Sequence, residues 1–196
     1  MTHSRPGAGP RPLLLALVVT AIVVVGAWAL VAVTEDSAQA SCRGASTDLD
    51  LTSPSDIGII PLHDEQVANA DAIVRTTMAS GRTVRAATIA VATAMQESAL
   101  LNIDHGDEAG PDSRGLFQQR LQFYGDIDVM DPAAATRAFL DRLDTVTGWQ
   151  SLAPEDAIQS VQRAAHPEMY ADWIEPAQGW TDALWTYAES CPTTGA

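Results

Sequence analysis

The chain has 196 residues, enough for one domain with appendages. Hydrophobic residues make up 46% of it, so a real core can form, and the net charge is −14. All 11 basic residues are arginine, and this acidic balance argues against nucleic acid as a partner, because phosphate binding relies on basic side chains.

Residues 1–12, rich in Pro, Gly and Arg, read as a cytoplasmic tail. From Leu13 to Val33 runs a 21-residue apolar stretch without a charge, matching the ~20 residues a bilayer-spanning helix needs. Arg5 and Arg11 precede it and Glu35 and Asp36 follow it, which places the N-terminus inside and the remainder outside the cell. The expectation is a single-pass membrane protein with an extracellular C-terminal domain. Ala38-Gln39-Ala40 resembles a signal-peptidase site, and cleavage near Ala40 would release the protein instead. Residues 34–60 read as a polar linker, and residues 61–191 as the folded domain. Cys42 and Cys191 are the only two cysteines. In an exported protein they are expected to form a disulfide that clips the linker to the C-terminus. Their separation does not suit a zinc site, and no metal or cofactor is expected.

Helical patterning begins after residue 61. Asp64 is a candidate cap for a helix to about Ser80, with Val67, Ala70, Val74 and Met78 on one face. Thr83 is the candidate cap of the next helix, through about Leu100. It is apolar nearly all round and so expected at the centre of the fold. Residues 102–114 read as loop, and Gly115 to about Leu121 as a short helix or an extended piece. Asp131-Pro132 starts a helix to about Val146. Others are expected over Pro154 to about His166, Pro167 to about Ile174, and Ala177 to Ser190. The fold class is mainly α, a compact domain of about six helices behind one membrane helix.

Glu97 lies where the central apolar helix meets the polar loop. Desolvation there would hold its proton toward neutral pH, which suits a general acid. Of the loop acids Asp104, Asp107, Glu108 and Asp112, Asp107 is the best candidate for a second carboxylate. Their spacing does not match a calcium loop, and a solvated acidic loop is the plainer reading. Among the tryptophans, Trp149, Trp173, Trp180 and Trp185 fit core positions. Tyr124 is the better candidate for lining a cleft.

Glu97-Ser98 followed by Gly115-Leu116-Phe117-Gln118-Gln119 resembles the first two motifs of the lysozyme-like superfamily. The closest types are soluble lytic transglycosylases and goose-type lysozymes, specifically the extracellular lysozyme-like domains of actinobacteria. The resemblance covers about residues 64–190. It implies a lysozyme-like fold and cleavage of the glycan strands of peptidoglycan, by transglycosylation or hydrolysis. Glu97 would be the general acid and base, Ser98 would steady its carboxyl or touch substrate, and Gly115 would let backbone approach a sugar. Gln118 and Gln119 would hydrogen-bond substrate near the carboxyl. The family's third motif, Ala-Tyr-Asn, is absent. Val161-Gln162-Arg163 stands in a comparable place, and Gln162 or Tyr170 is the candidate substitute. The alternative reading is an inactive module that binds wall glycan or a partner in an envelope assembly. With a net charge of −16 on residues 34–196, a glycan would be held by hydrogen bonds and stacking.

The disulfide has a direct check. Alkylation without reductant should leave Cys42 and Cys191 protected together, and reductant should expose both. Free alkylation of both without reductant would refute the bridge.

Overall fold

The computed structural model describes residues 49, 51–55 and 58–192. The apolar run 13–33, the Ala38–Ala40 site and Cys42 lie outside the described residues. Within these, no helix is long and apolar enough to cross a membrane.

The domain is mainly helical, as expected. Its described part nevertheless starts with a β-hairpin inside the stretch read as linker. Strand β1 (Thr52–Ser55) pairs antiparallel with β2 (Gly58–Pro61), with Thr52 opposite Pro61. Four-residue strands are too short to reveal their period in a sequence. Here β1 also gains a tertiary neighbour, the last helix of the chain.

Helix α1 spans Asp64–Ala79, and its cap is His63 rather than Asp64. The Gln66 side-chain oxygen accepts from the His63 N–H at 2.9 Å. Asp64 and Glu65 instead occupy the first turn, where negative charge suits the helix dipole. Helix α2 (Val84–Ser98) begins after Thr83, as expected, and Ala86 through Met95 are all buried. Small alanine side chains let α1 and the last helix close on it from two sides.

The end of α2 shapes the molecule. Ala99 and Leu100 both adopt left-handed backbone, φ 54° and 58°, a conformation that costs a non-glycine residue roughly 1–2 kcal/mol. Several bonds offset that cost. The Ala99 and Leu100 N–H groups donate to Met95 O and Ala94 O at 2.9 and 3.1 Å. Their own carbonyls accept from Gln66 Nε2 and Asn69 Nδ2, each at 2.8 Å. The Leu100 side chain is fully buried.

Beyond the loop, two-residue strands β3 (Ser113–Arg114) and β4 (Gln119–Arg120) pair antiparallel, and Gly115 to Gln118 make the turn between them. Helix α3 (Leu121–Tyr124) is a single turn. Helix α4 (Pro132–Asp144) starts as expected, with Asp131 Oδ1 accepting from Ala134 N at 2.6 Å. A 3-10 turn, Trp149–Ser151, leads to α5 (Pro154–Gln162). That helix stops short of the expected His166, because the Gln159 amide takes both backbone groups of Ala164 at 3.0 Å. A 3-10 helix (Pro167–Trp173) follows, and then α6 (Ile174–Ser190), which begins three residues before Ala177. The core centres on α2, with Phe117 stacked on Phe139 at 4.8 Å and Trp180 fully buried. Cys191 follows α6, its N–H bonded to Tyr187 O at 2.8 Å.

Asn69→Ala should cost about 1–3 kcal/mol in urea unfolding, because the buried bond to Leu100 O goes unmade. A change within about 0.5 kcal/mol, the level of an ordinary surface substitution, would show that the amide does not hold the turn.

Candidate functional site

Glu97 is the penultimate residue of α2, and the chain reversal at Ala99 and Leu100 opens space beside it. Its carboxyl is half-buried and has two neutral polar neighbours. Tyr170, buried in the second 3-10 helix, donates its hydroxyl to Glu97 Oε1 at 2.5 Å. Gln162, the last residue of α5, donates its amide to Phe117 O at 3.1 Å and from there favours the charged form of the carboxyl.

Burial pushes the Glu97 carboxyl above the usual carboxylate range; the bonds from Tyr170 and Gln162 work against that rise, and the negative charge of Asp107 adds to it. Tyr170 is driven up in turn, first by its own burial and then by the Glu97 charge. It therefore stays a phenol and keeps its donor proton. The neighbouring residue Gln96 accepts from Trp173 Nε1 at 2.7 Å. Side chains three apart eclipse on a 3-10 helix, so Tyr170 and Trp173 engage Glu97 and Gln96 side by side. Neither Gln96 nor Trp173 stood out as a site residue in the sequence.

The carboxyl opens on a cleft of about 460 Å³ that Gln118 and Asp107 also line. Gln118 adopts left-handed backbone, φ 47°, and its amide donates to Gly115 O at 3.3 Å. Asp107 is exposed, with Oδ1 accepting from the Ala109 and Gly110 N–H groups at 3.0 and 2.8 Å. Other loop acids are engaged elsewhere: Asp104 lies 3.2 Å from His105, and Asp112 pairs with Arg120 at 2.5 Å.

Other expected site residues take different roles. Ser98 is buried, and its hydroxyl lies 3.0 Å from Ala94 O and 2.9 Å from Leu116 O. It ties α2 to the turn carrying Gln118 instead of steadying the Glu97 carboxyl directly. Gly115 has φ 74°, and a Cβ there would fall 2.1 Å from Val129 O. The glycine is thus required by the protein's own backbone, whatever approaches from outside. Gln119 is buried and donates to Ala135 O at 3.0 Å, so its amide braces α4 and does not line the Glu97 cleft. Tyr124 is also buried, under the Arg142 guanidinium at 4.5 Å, and borders a second depression on the other side of Gln118. Trp149 and Trp180 are core residues, while Trp173 and Trp185 are half-buried.

No protein-family model and no curated protein matches the chain.

The carboxyl's environment has a consequence for stability. Between the ordinary carboxylate pKa and the raised one, folded Glu97 keeps a proton that the unfolded chain has released. Stability therefore falls as pH rises through that window. Glu97→Gln removes this titration. The stability of Glu97→Gln minus that of the unmodified protein should grow as pH rises above the ordinary carboxylate pKa of about 4.3. A difference that stays flat or shrinks in parallel thermal melts would contradict the raised pKa.

Proposed function

We propose that the domain is a lysozyme-like enzyme of the cell surface, held by its N-terminal apolar segment, that cleaves the glycan strands of peptidoglycan. The observation that carries this reading is the Glu97 carboxyl: half-buried, raised in pKa and bonded by Tyr170 at the wall of an open cleft. A carboxyl held above its usual range can give a proton to a glycosidic oxygen, and as carboxylate it can then accept one.

The neutral donors suit both halves of that cycle. Tyr170 and Gln162 stabilise the carboxylate formed after proton donation without pinning it, as an arginine would, in the charged state. Together they occupy the role that the missing Ala-Tyr-Asn motif would fill. Gln118, across the cleft, is placed to hydrogen-bond a sugar substituent.

A single half-buried carboxyl at the cleft wall supports the transglycosylase route. Glu97 first protonates the leaving oxygen and then takes the proton of the sugar's 6-hydroxyl, closing an anhydro ring. Asp107 is the candidate second carboxylate for hydrolysis.

Purified peptidoglycan incubated with the protein should yield anhydro-muropeptides by mass spectrometry, and Glu97→Gln should slow their release by at least ~10²-fold, the scale of general acid–base catalysis. Reducing-end products would assign the hydrolytic route and Asp107 with it. An unchanged rate in Glu97→Gln would remove the carboxyl from the mechanism. Glycan bound but never cut would favour the binding-module reading.

A further inference from the structure

Gln118 stands between two depressions. One holds Glu97; the other, about 800 Å³, is bordered by Arg120, Arg142 and Arg163, and no Asp or Glu lines it. That is a notable separation of charge in a chain whose residues 34–196 carry −16.

The three arginines are not equivalent. Arg120 is paired with Asp112 at 2.5 Å. Arg142 is exposed, and its guanidinium is held 4.5 Å over the Tyr124 ring. The acids flanking it on α4, Asp141 and Asp144, both pair with Arg82 instead, at 2.6 and 2.8 Å. Arg163, exposed at the left-handed end of α5, follows directly on Gln162, whose amide favours the charged form of Glu97. Among the described residues, neither Arg142 nor Arg163 has a carboxylate within 4.0 Å.

We propose that Arg142 and Arg163 bind a carboxylate of the peptide branch carried by the glycan strand whose sugars occupy the Glu97 cleft. This rests on the glycan-cleaving reading above. A guanidinium presents a planar fork that matches a carboxylate. Stacking on Tyr124 pre-organises one of the two. The two depressions meet at Gln118, so an anion tethered to the bound sugar is delivered at high effective concentration. Phe123, 63% exposed on the same rim, offers apolar surface to the branch's alkyl side chains. The substrate class is therefore peptide-bearing glycan in preference to bare strands.

The test uses the full chain carrying Glu97→Gln, so that bound glycan is not consumed. Calorimetry compares a soluble disaccharide–peptide fragment of peptidoglycan with the same fragment after its carboxylates are converted to amides. The carboxylate form should bind about tenfold more tightly, a difference that weakens with salt. Adding Arg142→Gln and Arg163→Gln should abolish it. Equal affinity for the two fragments, or a preference that survives both arginine substitutions, would overturn the inference and leave the glycan reading intact. Binding of neither fragment would overturn both.

Discussion

Two side-chain amides on α1, Gln66 and Asn69, donate to the carbonyls of Ala99 and Leu100 and so hold the reversal that ends α2. Without that reversal the helix would continue along its axis. With it, the chain turns back after Ser98, and Glu97 is left at a rim with space on one side and core on the other. The bond from Ser98 to Leu116 O then fixes the opposite wall relative to the same helix end. Gly115 lets that wall pass within reach of Val129 O, where any side chain would collide. The cleft is thus built from one helix terminus and the contacts that stop it from unwinding or extending.

The second determinant is the balance around the carboxyl. Burial alone would hold Glu97 protonated, and a cation beside it would hold it ionised. The neighbours are instead a phenol and an amide, which favour the ion moderately, with a like charge at Asp107 opposing them. The net result is a carboxyl above its ordinary range, with neighbours that tolerate either form. Tyr170 keeps its own proton because burial and the neighbouring carboxylate both raise its pKa. The bond from Trp173 to Gln96 sets the register of the 3-10 helix that delivers it.

Much of this was visible in particular residues. The all-round apolar stretch of α2 announced a central helix, and Asp131-Pro132 announced the start of α4. The Glu97 and Gln118 segments, both singled out in the sequence, line one cleft. Gln162 and Tyr170 were legible as the candidates nearest the position of an absent motif. Other residues misled for identifiable reasons. Gln119 looks like its neighbour Gln118, but Gln118 ends the turn in left-handed backbone while Gln119 opens β4 and is buried, its amide bracing Ala135 O. Ser98 sits beside Glu97 in sequence, yet it lies 100° round the helix and faces Leu116. The hairpin at β1 and β2 was read as linker, because strands of four residues carry no readable period and the contact of β1 is with α6, over 100 residues away.

By itself, the sequence determined the helical class, most helix starts and the acid at the end of the central helix, Glu97. Those properties depend on local period, caps and composition, which act over a few residues. Only the tertiary structure decided what surrounds that acid. The donor to Glu97 comes from position 170 and the amide beside it from position 162, and the amides that end its helix come from positions 66 and 69. A hydrogen bond or a pKa shift depends on distance and burial in space, and neither is encoded by proximity along the chain.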